Sequence, residues 1–173
     1  MKENIRVMIS EETIEQRICE IAKEISADYA GKELYVICIL KGSVFYTCDL
    51  VKRLTVPTRM DFMKASSYGA GTVSSGTVTI QKDLEESIEN KDVLIVEDII
   101  DTGNTLAKLL DLLKERKPAS IRTTALLDKP ARREVDVTVD YVGFEIEDRF
   151  VVGYGLDYDQ RYRDLPYIGE VQL

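Results

Sequence analysis

VLIVEDIIDTGNTL, from Val93 to Leu106, is the stretch of this chain on which the fold turns. It opens on four consecutive apolar residues, Val93 to Val96, which read as a strand buried on both faces. Two acids follow, Glu97 and Asp98, then Asp101, Thr102, Gly103, Asn104 and Thr105, then leucines at 106, 109, 110 and 113 in helical spacing. A buried strand that passes through a short polar turn into an amphipathic helix is the repeating unit of an α/β fold. In an open α/β sheet, ligands collect at the carboxyl ends of the strands. Thr102 to Thr105 would place backbone N–H groups and hydroxyls at a helix N-terminus, which suits a phosphate monoester, and Gly103 permits close approach of backbone to anion.

Carboxylates beside a phosphate pocket repel the ligand unless something intervenes. Glu97 and Asp98 make sense if they accept hydrogen bonds from sugar hydroxyls or hold a divalent cation, so a sugar phosphate with Mg²⁺ resolves the conflict. The plainer alternative is an acidic strand end followed by an ordinary capped helix, and spacing alone leaves both open. Neither a Walker lysine nor a G-x-G-x-x-G sequence is present, which sets aside the P-loop and the dinucleotide fingerprint.

Working outward, Ser10 before Glu11 and Glu12 is a helix start, with acids at the positive end of the dipole. Ile14, Ile18, Ile21 and Ile25 continue that helix until it closes near Gly31. Tyr35 to Leu40 is a second continuous apolar run, a buried strand, followed by Lys41, Gly42 and Ser43, a helix to about Leu54 and a strand over Val56 to Met63. Residues 64–76, KASSYGAGTVSSG, are small and polar and predict a mobile loop. Strands are expected at Thr77 to Gln81, at Ile121 to Leu127, and at Tyr141 to Phe144 and Phe150 to Val152, the last two finishing the sheet. The alternation predicts an α/β fold, a largely parallel central sheet flanked by helices. With no internal repeat or linker, residues 1–173 read as a single domain.

Composition excludes several chemistries. Thirty-one acids against 23 Lys and Arg give a formal charge of −8, which disfavours nucleic-acid partners that need a basic face. The chain has no histidine, which removes Ser-His-Asp and Cys-His nucleophiles and His-ligated zinc. Acid–base work falls to carboxylates, Lys, Tyr or Cys. Three cysteines, Cys19, Cys38 and Cys48, have no paired spacing and suggest buried, reduced thiols. No signal-peptide core or membrane-length apolar run is visible, so a cytoplasmic protein with no membrane partner is expected.

VEDIIDTGNTL resembles the phosphoribosyl pyrophosphate motif of type I phosphoribosyltransferases, two acids and then a D-T-G-x-T phosphate loop. LLDKPARR, Leu126 to Arg133, and VGFEIEDRFVVGYGLDYDQRYRDLPYIG, Val142 to Gly169, are similar to the purine-recognition half of the hypoxanthine/guanine members of that family. With LKG at Leu40 to Gly42 and SSYG at Ser66 to Gly69, the resemblance runs in order through nearly the whole chain.

The resemblance implies Mg²⁺-dependent transfer of a phosphoribosyl group to N9 of a 6-oxopurine in purine salvage, with release of pyrophosphate, by a homodimer or homotetramer. It implies a small hood from about residues 128–173 plus N-terminal residues, and a lid containing Ser66, Ser67, Tyr68 and Gly69. Asp101 would handle the proton at purine N7, and Thr102, Gly103, Asn104 and Thr105 would hold the 5′-phosphate. Glu97 and Asp98 would face the ribose hydroxyls and Mg²⁺. Lys129 would donate to the 6-oxo group, Phe150 would stack on the purine, and the backbone of Val151 would read its edge. Lys41 and Gly42, joined to Leu40 by a strained peptide, would bind pyrophosphate with Arg163, and Asp157 would ligate the pyrophosphate-bound Mg²⁺. Asn104 stands where some relatives carry a basic residue. Two rivals share the pattern: a phosphoribosyltransferase for xanthine or uracil, and a non-catalytic regulator that binds nucleotide and RNA.

Overall fold

The computed structural model describes residues 4–67 and 78–172, so Tyr68 and Gly69 of the expected lid lie outside the described residues. In chain order the elements are β1 (Asn4–Ile9), α1 (Glu11–Asp28), β2 (Leu34–Ile39), α2 (Val44–Val51), β3 (Thr58–Ser67), β4 (Val78–Lys82), β5 (Asp92–Ile100), α3 (Asn104–Lys114), β6 (Ser120–Asp128), a 3₁₀ turn (Pro130–Arg132), β7 (Tyr141–Glu145), β8 (Val151–Val152) and β9 (Ile168–Gln172).

Six strands form the main sheet in the order β4-β3-β2-β5-β6-β7, parallel throughout except for the β3–β4 pair. The continuous apolar runs have a simple cause, because helices cover both faces. Along β5, Leu94 and Val96 pack with α1 and its isoleucines, while Val93 and Ile95 pack with Leu106, Leu109 and Leu113 of α3. β2 divides in the same way, Leu34 and Val36 to one side and Tyr35, Ile37 and Ile39 to the other. Each fully buried aliphatic side chain contributes roughly 1.5–3 kcal/mol, so this two-sided core is the main source of stability.

Local signals behave as read. The Ser10 hydroxyl accepts from the Thr13 amide at 3.2 Å and caps α1, and Gly31 at φ 79° follows the end of that helix. Three expectations are corrected. The small-residue stretch does not begin as a loop, for β3 runs on through Ser66 and Ser67, which pair with Thr79 and Val78 of β4. Antiparallel pairing satisfies the backbone of a segment too polar to look like a strand. Phe150 to Val152 does not finish the main sheet; β8 pairs with β9, and β9 with β1, in a separate three-stranded antiparallel hood. Cys38 is buried as expected, but Cys48 is exposed on the outer side of α2.

Candidate active site

β5 lies centrally, between β2 and β6, so its carboxyl end opens where neighbouring strands and their loops converge. A cleft of about 260 Å³ sits there, bordered by Ile39, Leu40 and Ala65 and by the segment from Glu97 to Gly103 with Thr105 and Leu106. The structure therefore gathers Glu97, Asp98, Asp101, Thr102, Gly103 and Thr105 around one space.

The loop expected to hold phosphate is built by one turn. Gly103 takes φ 84°, a left-handed conformation that a side chain would disfavour, and directs the chain into α3. The first intrahelical bond runs from the Ala107 amide to the Gly103 carbonyl at 2.9 Å, so the amides ahead of it lie at the positive end of the helix dipole. The segment after the 3₁₀ turn braces this loop: the Glu134 amide donates to the Thr102 carbonyl at 2.9 Å, and Arg133 donates to the Asp101 carbonyl at 2.7 Å and to Asp128 at 2.5 Å. The Asn104 side chain is spent locally, donating to Glu134 at 2.7 Å and to the Thr102 hydroxyl at 3.2 Å.

Glu97 is buried, and burial, together with the charge of Asp98, pushes its carboxyl well above the ordinary range. Asp98 is raised by burial too, with the Ile99 amide and Arg163 opposing and Asp157 adding to the rise. A buried acid beside a half-buried one forms a site that calls for a cation or for donor hydroxyls.

Lys41, Gly42, Asp157 and Arg163 form a second group beside Asp98. The Leu40–Lys41 peptide is cis, and a Cβ on Gly42 would overlap the Asp98 carboxylate. Gly155 backs onto the Gly42 carbonyl just as closely, so the C-terminal segment presses on the Lys41–Gly42 turn. Arg163 pairs with Asp157 at 2.9 Å and donates to the Gly155 carbonyl at 2.7 Å. Gln160, which the sequence did not single out, joins the group: its side-chain carbonyl accepts from Lys41 at 3.0 Å, and its amide donates to Asp157 at 2.8 Å.

The hood supplies the third group. Lys129 is buried with its ammonium donating to the Arg149 carbonyl at 2.7 Å and lying 3.4 Å from Asp148. Next in the chain, the Phe150 ring stays 44% exposed and lies nearly perpendicular to the Tyr158 ring, with 5.4 Å between centroids. Val151 is buried in β8, its backbone fixed by pairing with Glu170. Lys129, Phe150 and Val151 do not line the 260 Å³ cleft itself. Lys129 is linked to it through charged side chains: Asp148 lies 3.4 Å from Lys129 and 3.6 Å from Arg132, and Arg132 donates to the Asp101 carboxylate at 3.1 Å.

Residues 8–159 match the phosphoribosyl transferase domain family. The chain is 53% identical over 175 residues to the hypoxanthine phosphoribosyltransferase of Salmonella typhimurium, spanning 100% of this chain and 98% of that protein. The chain belongs to the hypoxanthine/guanine phosphoribosyltransferase family. The hypoxanthine phosphoribosyltransferase of Escherichia coli is 51% identical over 175 residues, spanning 100% of this chain and 98% of that protein. Among solved structures, a Bacillus anthracis hypoxanthine-guanine phosphoribosyltransferase superposes with a TM-score of 0.94 at 43% identity, covering 99% of this chain and 100% of that one. A Staphylococcus aureus hypoxanthine phosphoribosyltransferase gives 0.93 at 50% identity, covering 96% and 91%.

In this phosphoribosyltransferase, no three acidic, Cys or His side chains converge as a metal cage among the described residues. Glu97, Asp98 and Asp157 nevertheless fit Mg²⁺ by donor chemistry. They are oxygen donors, two of them neighbours whose carboxyls are both raised for want of a counter-charge, and an ion held by few carboxylates takes its remaining ligands from substrate and water.

Proposed function

We propose that the whole chain acts as one catalytic unit that transfers the 5-phosphoribosyl group of phosphoribosyl pyrophosphate to N9 of hypoxanthine or guanine, giving IMP or GMP and pyrophosphate in purine salvage. The observation that carries this reading is the cleft at the end of β5, bordered by a left-handed glycine turn at the start of α3 and by the acids Glu97, Asp98 and Asp101.

The amides and hydroxyls of residues 102–105 hold the 5′-phosphate, with Asn104 contributing backbone only. Glu97 and Asp98 accept from the ribose hydroxyls and favour the positive charge that builds on the ring as the C1′–oxygen bond stretches. Lys41, Arg163 and the amide of Gly42 bind the departing pyrophosphate. Asp157 and the acid pair would hold Mg²⁺, which when bound supplies charge neutralisation on the pyrophosphate oxygens. Phe150 stacks on the base, the Val151 backbone meets its edge, and Lys129 donates to the 6-oxo group. The N7 proton passes to Asp101 as N9 forms its bond to C1′.

Water competes with the base for the anomeric carbon, and Ser66 and Ser67, at the end of β3, belong to the segment that would shield it. No described helix is long and apolar enough to cross a membrane. Three free cysteines suit the reducing cytoplasm, and we read the working form as a homodimer or homotetramer without nucleic-acid partners.

Pyrophosphate formation with hypoxanthine, guanine, xanthine and adenine, each with and without Mg²⁺, tests the reading. The expected result is turnover with hypoxanthine or guanine, little with adenine, and loss on chelation. Salt-sensitive RNA binding without pyrophosphate release would favour the regulator instead.

A further inference from the structure

We infer that Arg132 is a positioning residue of the base site, which fixes one oxygen of the Asp101 carboxylate so that the other is free to receive the purine N7 proton. This rests on the reading of Asp101 given above.

The geometry is specific. Arg132 ends the 3₁₀ turn Pro130–Arg132, and that turn is anchored at both sides: the Lys129 amide donates to the Ile100 carbonyl at 2.9 Å, and the Arg132 amide returns to the Lys129 carbonyl at 3.0 Å. From there Arg132 Nε reaches Asp101 Oδ1 at 3.1 Å. Its Nη1 lies 3.6 Å from Asp148 Oδ2, and Asp148 Oδ1 is 3.4 Å from Lys129 Nζ. Arg132 therefore joins the proton-handling carboxylate to the side chain placed against the 6-oxo group.

A carboxylate that is free to rotate exposes either oxygen and either lone-pair direction. A planar guanidinium whose Nε meets Oδ1 while its Nη1 faces Asp148 restricts that freedom and leaves Oδ2 as the acceptor. The chemical step then balances simply. N9 donates its pair to C1′, the bond from C1′ to the pyrophosphate oxygen breaks, and the N7 proton moves to Oδ2 of Asp101. Arg132 exchanges no proton or electron with the substrate. Arg133, next in the chain, cannot substitute, because its guanidinium is committed to the Asp101 backbone carbonyl and to Asp128.

A double-mutant cycle with Arg132→Ala and Asp101→Asn tests this, reading kcat and the KM for each substrate. If Arg132 acts through Asp101, Arg132→Ala lowers kcat by roughly 10-fold in the native background and by less than about 2-fold in Asp101→Asn. The KM for phosphoribosyl pyrophosphate stays within about 2-fold, since the 102–105 turn is braced by Arg133 and Glu134 rather than by Arg132. Arg132→Gln, which keeps the side-chain length, carries the same cycle if the alanine variant fails to fold. Equal losses in both backgrounds, no loss at all, or a parallel rise in the KM for phosphoribosyl pyrophosphate would overturn the inference. Near-native turnover of Asp101→Asn alone would instead remove Asp101 from its role, which separates the two failures.

Discussion

Lys129 has three N–H donors, and the fold uses two of them: one reaches the Arg149 carbonyl at 2.7 Å and a weaker one reaches Asp148 at 3.4 Å. The third remains for a ligand acceptor, and a 6-oxo group is an acceptor where the 6-amino group of adenine is not. Lys129→Ala is expected to lower kcat/KM for hypoxanthine by roughly 10- to 100-fold while narrowing the preference over adenine, read by competition between the two bases. An unchanged preference would remove Lys129 from base recognition. Asp101→Asn is expected to leave the fold intact and slow the chemical step by roughly 100-fold, read as kcat together with thermal melting.

Glu97 makes a prediction in pH. Burial first, and Asp98 second, raise its carboxyl well above the ordinary value of 4.5. Below that ordinary value the residue is protonated in both the folded and the unfolded chain and costs nothing. As pH rises past it, the unfolded chain gives up the proton that the folded chain keeps, so stability falls with rising pH. Glu97→Gln removes this dependence. Its melting temperature in the free enzyme should exceed the native one at pH 7, with the difference fading as pH drops to about 4.5. Binding of phosphoribosyl pyrophosphate should weaken in the same variant. A melting difference that is flat with pH would contradict the burial argument.

Among the elements, the turn between β5 and α3 carries the proposed phosphate site. Gly103 stands at φ 84°, and a Cβ there would lie 2.9 Å from Val137 Cγ1 and 3.0 Å from Arg133 Cδ. Gly103→Ala therefore meets left-handed strain of about 1–2 kcal/mol and a clash with the bracing segment. Isothermal titration should show phosphoribosyl pyrophosphate bound at least 10-fold more weakly, with purine-nucleoside binding much less affected. The turn was legible in the sequence because a polar, glycine-containing run stands between an apolar strand and a leucine-patterned helix; its phosphate role came only from the resemblance. Its bracing by Arg133 and Glu134 was not legible. Those contacts cross from a segment about thirty positions later, and no local periodicity announces them. The extension of β3 through Ser67 was hidden for a related reason: polar residues at a sheet edge are held by backbone pairing, which side-chain pattern does not report.

At the scale of the whole molecule, the site depends on the C-terminal segment being pressed against the main sheet. The Tyr154 hydroxyl donates to Asp49 of α2, and its ring lies 6.3 Å from Phe45, which ties the segment that carries Gly155, Asp157 and Arg163 to the helical layer. Burial drives the Tyr154 hydroxyl pKa upward, with the Asp49 contact adding to it, so the phenol stays a neutral donor. Tyr154→Phe should cost about 1–3 kcal/mol of stability and raise the KM for pyrophosphate in the reverse reaction, through loosened packing of Gly155 on Gly42. Denaturant melts with reverse-direction kinetics check both, and a purely thermal effect would show that the tie does not reach the site.

What the chain determined by itself was its two-sided α/β core and the glycine turn between β5 and α3. Hydrophobic periodicity, capping residues and glycine conformation act over a few neighbouring positions and can be read there. The same sequence named Asp101, Lys129, Phe150 and Arg163 only through resemblance, since an isolated Lys-Pro or a tail arginine has no local signature. Tertiary structure alone decided that Phe150 to Val152 would leave the main sheet for the hood, that Gln160 would stand between Lys41 and Asp157, and that Arg132 would reach Asp101. Each of these is a contact between distant segments, set by how strands cross and how closely backbones pack, and such geometry exists only once the chain has folded.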